Sequence, residues 1–251
     1  SDAADIVRSN NIPYSVAQEA EQRPLKDDST RIGFAEEIKD AYYGDLHSNV
    51  MGELSNAREN LHEKRDKVEK AKEKVKELEN KVAKIFGKKF GLMVNSGSSA
   101  NLLGLASFEF KKDSEIITPA LTFSTTVAPI YQLGYIPCFI DVERNSYIAN
   151  IKQIEKCINS KTVAIMIPNL LGNVPDWIEI HKIAKKYNLK VIEDSADTIG
   201  YTFNKKNFGR YSDITTNSLY ASHIITGAGS GGIVCFNDKK LYEKAKLLRG
   251  W

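Results

Sequence analysis

The segment FGLMVNSGSSANLLGLASF, residues 90–108, joins an apolar run to a leucine-rich run through a loop of serine and glycine. Phe90–Val94 is apolar throughout, which is typical of a strand that is buried on both faces. Asn95–Asn101 follows it and leads into a helical pattern. A glycine among small hydroxyl residues lets backbone N–H groups reach a phosphate at the positive end of a helix. The same loop could also serve only as a helix N-cap.

Apolar runs and helical patterns continue to alternate from this segment to residue 248. The pattern predicts strands over 90–94, 115–118, 136–140, 163–167, 190–193, 214–217 and 232–236. It predicts helices over 99–108, 126–133, 151–157, 177–187 and 239–248. Apolar strands separated by helices indicate a three-layer α/β/α domain with a mostly parallel, mixed sheet. The last strand follows its predecessor with little room for a helix, so we expect it to run antiparallel.

The chain before residue 90 has a different character. Residues 1–53 are mixed and polar, and their glycines predict breaks between short helices and loops. Residues 54–86 predict one long, charged amphipathic helix, because a heptad seam runs along them. The seam consists of Leu54, Ala57, Leu61, Lys64, Val68, Ala71, Val75, Leu78, Val82 and Ile85. This helix would either form a dimer or docking surface or pack against its own domain, which we place at 87–251.

Bulk composition narrows the class of protein. The 251 residues are 42% hydrophobic, enough for one sizeable core or two small ones. A net charge of +3, with Lys and Glu interspersed, argues against a nucleic-acid surface. The sequence has no apolar run of the length that spans a membrane, and its N-terminus lacks signal-peptide features. Cys138, Cys157 and Cys235 form no CxxC pair, so we expect free thiols in a reducing cytoplasm and no metal site.

The segment SLYASHIITG, Ser218–Gly227, resembles the cofactor-anchoring segment of the DegT/DnrJ-type sugar aminotransferases, which are fold-type I enzymes dependent on pyridoxal phosphate (PLP). In that family a Lys five residues after the Ser forms an imine with the cofactor. His223 stands at that place here, and an imidazole cannot form a lasting imine with an aldehyde. A His there is similar to one branch of the family, the pyridoxamine phosphate (PMP)-dependent NDP-4-keto-6-deoxyhexose 3-dehydratases.

Other segments match the same family in the same order, over roughly residues 75–251. The serine–glycine loop would bind the cofactor phosphate through Ser98 and Ser99, and Ser218 would complete that site. In PALTFST, which follows the next predicted strand, Phe123 would lie on the face of the pyridine ring. Taken by itself, that Phe could equally be a core residue.

The segment VIEDSAD, residues 191–197, is an apolar strand that ends in acids. The resemblance places Asp194 against the pyridine nitrogen, where a carboxylate keeps the ring protonated and able to accept electrons. Ala196 would lie beneath the ring and Asp197 near its hydroxyl. Outside the family pattern, two acids at a strand end would indicate only a helix cap. Asn169, in the segment NLLGN, is similar to the dehydratase branch and would touch cofactor or sugar.

The resemblance implies a dehydratase that removes the C-3 hydroxyl of a nucleotide-linked 4-keto-6-deoxyhexose in deoxysugar biosynthesis, such as that of lipopolysaccharide. PMP would bind without a covalent link, and His223 would act as both base and acid. The family also implies a homodimer. Both a glutamate-recycled type and an iron–sulfur type that needs a reductase stay open. Two alternatives are an aminotransferase that uses Lys205 or Lys206, and a non-catalytic binding or regulatory protein.

The sequence departs from the family pattern in two ways. Family members continue through a smaller C-terminal domain, so we expect that domain to be missing, truncated or encoded elsewhere. The family usually has Gly-Glu-Gly-Gly after the Thr of the anchoring segment. Here Gly227–Gly232 reads GAGSGG, which is one residue longer and lacks the Glu. Both departures favour the non-catalytic alternative, whereas retention of the complete set of site residues favours an enzyme.

Overall fold

A seven-stranded mixed sheet dominates the computed structural model, which describes residues 28–203 and 206–250. The strands are β1 (Phe90–Val94), β2 (Glu115–Pro119), β3 (Ile136–Ile140), β4 (Thr162–Pro168), β5 (Lys190–Asp194), β8 (Ile214–Ser218) and β9 (Gly232–Phe236), and a small ladder joins β6 (Thr202–Phe203) to β7 (Lys206–Asn207). The large sheet has the order β1-β9-β8-β5-β4-β2-β3. Strand β9 is antiparallel to both of its neighbours, as predicted, and the other pairings are parallel. All the predicted strands are confirmed, with ends that agree to within about one residue.

The helices are α1 (Asp28–Ile85), α2 (Gly97–Ala106), α3 (Ser124–Gln132), α4 (Ile151–Cys157), α5 (Trp177–Tyr187) and α6 (Lys239–Leu248), with short 3₁₀ turns at Leu170–Gly172 and Phe208–Tyr211. The last three helices have the predicted bounds. Helix α2 begins two residues earlier than predicted, because the side chain of Ser96 accepts a hydrogen bond from the backbone N–H of Ser99 and so caps the helix.

Helix α1 is much longer than predicted. Short helices and loops were expected over residues 1–53, and that expectation is wrong for 28–53, which are helical. Residues 1–27 lie outside the described residues. The prediction treats glycines as breaks, but a Gly inside a helix costs only about 1 kcal/mol relative to Ala. Gly44 and Gly52 lie within α1, with open space where a side chain would stand.

The end of α1 contributes to the core of the second unit. Val82, and Phe86 just beyond the helix, pack against Ile233 and Cys235 of β9. Seam residues farther from that end, such as Leu61, are exposed. The chain divides into two compact units inside α1, between residues 71 and 72, so the sheet and the later helices belong to the second unit. No helix of the described ranges is both long enough and apolar enough to cross a bilayer.

Alternate residues of the strands face two different helical layers, as the two-residue repeat of a strand requires. Met166 of β4 belongs to the layer formed with α2, α3 and α6. Ile165 and Ile167 belong to the layer formed with α4 and α5, where Trp177 is completely buried. The predicted three-layer α/β/α architecture is therefore confirmed.

Lys88, in the turn that joins α1 to β1, is buried. Its side chain joins a polar network that includes Glu193 of β5. Its ammonium group donates to the backbone carbonyl of Ser212 and, at 3.2 Å, to the hydroxyl of the same residue. The Ser212 hydroxyl lies 3.3 Å from the buried carboxylate of Glu193, which also accepts from Thr215 at 3.0 Å. Burial lowers the pKa of Lys88 to about 8, although the nearby carboxylate opposes that shift.

We expect Lys88→Met to change how stability depends on pH. Between pH 8 and pH 10.5 the unfolded chain retains the lysine proton and the folded chain does not. The free energy of unfolding of the wild type therefore increases as pH rises through this range. One pKa unit corresponds to about 1.4 kcal/mol, so the wild type should gain on the order of 3 kcal/mol relative to the variant. Urea denaturation across this window measures the difference. Lys89→Met, at an exposed neighbour, is the control, and equal behaviour of the two variants would contradict the assignment.

Candidate active site

A cavity of about 900 Å³ lies at the carboxyl edge of the parallel strands. Segments that follow β1, β2, β4, β5 and β8 form its walls, and open α/β sheets bind their ligands at this edge. Every site residue predicted from the sequence except Ser99 lines it: Ser98, Phe123, Asn169, Asp194, Ala196, Asp197, Ser218 and His223.

One end of the cavity is formed by the start of α2 and the end of β8. Ser98 is exposed there, and Gly97 lies against Ser218. A side chain at Gly97 would place its Cβ 2.6 Å from the Cβ of Ser218, so only glycine permits this approach. The hydroxyl of Ser99 is instead hydrogen-bonded to Ser96 at 3.1 Å and lines a smaller, separate cavity. The structure thus brings together two of the three predicted phosphate contacts.

Asp194, the last residue of β5, is a buried carboxylate in the cavity wall. One carboxylate oxygen accepts hydrogen bonds from Asn101 Nδ2 and Thr126 Oγ1, both at 2.8 Å. The other accepts from the backbone N–H of Ala196 at 3.1 Å. Burial raises the pKa of Asp194, the three hydrogen bonds act against that rise, and the neighbouring Asp197 adds to it. A cationic N–H in the cavity would lower this pKa, because it would stabilise the charged form.

His223 and Asp197 face each other across the cavity. The His223 Nε2 atom lies 3.8 Å from a carboxylate oxygen of Asp197, a distance for ion pairing and not for a hydrogen bond. The second oxygen of Asp197 accepts from the backbone N–H of Leu171 at 2.9 Å. That leucine has a φ of 55°, which is rare for a residue with a branched side chain. Asp197 therefore connects the imidazole with the strained turn after β4.

Phe123 presents a broad apolar surface to the cavity, with 69% of its area exposed. Ala196, which follows the carboxyl end of β5 and also lines the cavity, is partly buried. Tyr220 also lines the cavity, and its ring lies edge-on to His223 with centroids 6.1 Å apart. A flat aromatic ligand between these surfaces would be held by stacking and apolar contact.

Asn169 lies in the cavity wall but uses its side chain within the protein. Its amide nitrogen donates to Glu193, Ser195 and Thr198 at 2.8–3.0 Å. Its amide oxygen accepts from the indole N–H of Trp177 at 2.9 Å. The geometry makes this side chain a support for the cavity wall, and its predicted contact with cofactor or sugar stays a prediction.

The hydrogen-bonding of the cavity is incomplete within the protein. Of the described residues, three have buried side-chain polar atoms without a hydrogen-bond partner, and two of these, Thr122 Oγ1 and His223 Nδ1, belong to residues lining the cavity. Buried polar groups are normally paired, and these two atoms lack a hydrogen-bond partner within the described protein. The described lining includes no lysine. Lys205 lies outside the described residues, and the described ranges hold no cluster of three or more metal-ligating side chains.

Sequence reasoning missed the residues that hold Asp194. Asn101 is a buried amide in a leucine-rich helix, and Thr126 is a buried hydroxyl in the first turn of α3. A polar residue on an otherwise apolar helix face is the available signal, because such a group needs a buried partner. The strained Leu171 leaves no such signal in the sequence.

The fold defines the class of this domain, since it matches fold-type I PLP-dependent structures. One match is the E. coli GDP-4-keto-6-deoxy-D-mannose 3-dehydratase with bound hydrated PLP, at 37% identity and a TM-score of 0.64, covering 67% of this chain and 45% of that one. Another is NtdA from Bacillus subtilis with bound PMP, at 30% identity and a TM-score of 0.60, covering 64% and 36%. The chain belongs to the DegT/DnrJ/EryC1/StrS aminotransferase family, whose model matches residues 52–251.

Similar curated proteins include sugar 3-dehydratases and also a GDP-perosamine synthase. A dTDP-4-dehydro-2,6-dideoxy-D-glucose 3-dehydratase from Saccharopolyspora spinosa is 39% identical over 67% of this chain and 38% of its own length. The GDP-perosamine synthase of E. coli O157:H7 is 35% identical over 64% of this chain and 44% of its own length. The chain thus spans less than half the length of these relatives.

Replacing Asp194 should alter the pH dependence of stability of the ligand-free protein. Because its folded pKa is raised, the wild type loses stability as pH rises from the ordinary Asp value of about 3.9 through that raised pKa. Asp194→Asn does not titrate, so the wild type should become progressively less stable relative to it. Denaturation midpoints at stepped pH values measure this, and a difference independent of pH would contradict it. Thr126→Val removes a donor to the carboxylate and should extend the loss to higher pH.

Proposed function

We propose that this cavity binds PMP or PLP and supports C-3 dehydration of a nucleotide-linked 4-keto-6-deoxyhexose. The observation that carries the proposal is His223 in a cavity whose described lining contains no lysine. Relatives named as 3-dehydratases of such sugars support the substrate class. We extend the proposal to action in the cytoplasm as a homodimer. The glutamate-recycled and the reductase-dependent types of dehydratase are both open alternatives.

The cavity has the groups that this cofactor needs. Ser98, the start of α2 and Ser218 offer hydroxyl and N–H donors to its phosphate. Asp194 offers a carboxylate to its pyridinium N–H, and Phe123 offers a surface for its ring. When bound, PMP would supply an amine for the C-4 ketone and a ring that accepts an electron pair.

The imidazole of His223 provides the proton chemistry. Its Nδ1 has no hydrogen-bond partner among the described residues, so no other group of the described protein there holds the proton that the ring would take up. The same imidazolium can then donate that proton to the departing C-3 hydroxyl, so that water leaves. The carboxylate of Asp197 lies 3.8 Å from Nε2 of the same ring. A Lys at this place would instead compete for the cofactor aldehyde.

An aminotransferase of the same family is the second candidate, because a UDP-N-acetyl-3-dehydro-alpha-D-glucosamine 3-aminotransferase is also similar. It requires a lysine that reaches the cofactor. Lys206 lies on β7, and its side chain is not among those described. A non-catalytic binding protein is the third candidate, and it predicts that neither cofactor is retained.

Cofactor binding is tested first. PMP or PLP is added to the protein, unbound cofactor is removed by gel filtration, and an absorbance spectrum is recorded. Retained PMP absorbance without a borohydride-reducible imine to PLP is the expected result. A stable reducible imine in the wild type would establish the aminotransferase, and loss of both cofactors would establish the non-catalytic alternative. His223→Lys should create the reducible imine that the wild type lacks.

His223→Asn should retain PMP but lose dehydration of GDP- or dTDP-linked 4-keto-6-deoxy sugars. General acid–base catalysis contributes about 10²- to 10⁴-fold, so the rate should fall within that range or below detection. Ser222→Ala, at another residue of the cavity lining, is the matched control and should keep most activity. Dehydration that survives in His223→Asn would show that the imidazole has a different role.

A further inference from the structure

The seam of α1 within the first unit is an exposed apolar stripe. We take heptad position a as Leu54, Leu61 and Val68, and these side chains are 48–52% exposed. Position d is occupied by Ala57, Lys64 and Ala71, which are also exposed. The stripe therefore carries one large apolar side chain per heptad, followed by a small residue or a lysine. Small residues allow another helix to approach closely, whereas a bilayer surface favours a wide apolar face.

Residues 54–71 of α1 carry their arginines beside the seam and their acids away from it. Arg58 and Arg65 occupy position e beside the seam, and Lys67 occupies position g on the other side. The opposite face carries the acids Glu59, Glu63, Asp66 and Glu69, together with Lys70. Among the described residues, Arg58 and Arg65 form no ion pair, whereas Lys67 pairs with Glu63 at 2.7 Å. The seam thus has a basic border, and Lys64 adds a further positive charge inside it.

A second copy of this chain fits the seam poorly. In a parallel pair in register, Lys64 would face Lys64 of the other copy inside the apolar stripe. In an antiparallel pair, position e faces position e, which brings arginines at 58 and 65 against one another. Like charges in such places are destabilising. Both arrangements therefore oppose self-association through this stretch.

From this geometry we propose that the face of α1 formed by residues 54–71 docks an amphipathic helix of another protein, one whose apolar seam is bordered by glutamate or aspartate. Acids on that helix would pair with Arg58 and Arg65, and one acid within its seam would face Lys64. Leu54, Leu61 and Val68 would supply the apolar contact. This inference is independent of the cavity and of its chemistry.

The test uses two synthetic helices of about four heptads, with the same Leu and Ile at positions a and d and one Glu placed opposite Lys64. One peptide has Glu at every e and g position, and the other has Lys. Fluorescence anisotropy with the whole chain should show at least about tenfold tighter binding of the acidic peptide, weakening as salt rises. Arg58→Glu/Arg65→Glu should reverse the preference. Leu61→Glu should abolish binding, and Asn56→Glu, the same charge on the opposite face, should not.

Four results would overturn the proposal. They are equal affinity for both peptides, no binding of either, a wild-type oligomer that Leu61→Glu dissociates in light scattering, and tighter binding to anionic phosphatidylserine vesicles than to the acidic peptide. The third would assign the seam to a second copy, and the fourth would assign it to a lipid surface.

Discussion

The buried carboxylate of Asp194 is the constraint on which the site depends. It stands at the carboxyl end of β5 and is held by Asn101 from α2, Thr126 from α3 and its own turn. A buried charge is costly unless hydrogen bonds compensate it. These bonds therefore draw two helices of one layer onto the strand end, and they fix the cavity wall around this carboxylate.

A second polar network, centred on Glu193, lies on the other face of β5 and supports the cavity wall. Glu193 points to the opposite face of β5 and receives Ser195, Ser212, Thr215 and Asn169. Successive residues of a strand point to opposite faces, so two adjacent acids serve two layers. One acid remains available to a ligand, and the other is used to fix the turn after β4. The bare dipeptide in the sequence does not reveal this division.

Local pattern predicted the strands of the large sheet well, because most of them are short apolar runs bounded by turn residues. The same reasoning failed over 28–53, where glycines were treated as breaks although helix cooperativity outweighs their cost. Within the site, the resemblance to the family placed Asp194 and His223 at one cofactor, and both line the cavity. The orientation of Ser99 and the full use of the Asn169 amide depend on tertiary hydrogen bonds, which spacing along the chain does not encode.

The two units of the chain differ in how their polar and apolar side chains are arranged. The second unit buries its polar groups in pairs and leaves unpaired atoms mainly at its cavity, as a domain built around a small ligand does. Within residues 54–71, α1 buries none of its seam, and arginines border that seam while the acids lie on the opposite face. The basic border restricts which helices can pair with it, since the border of a seam selects its partner by charge.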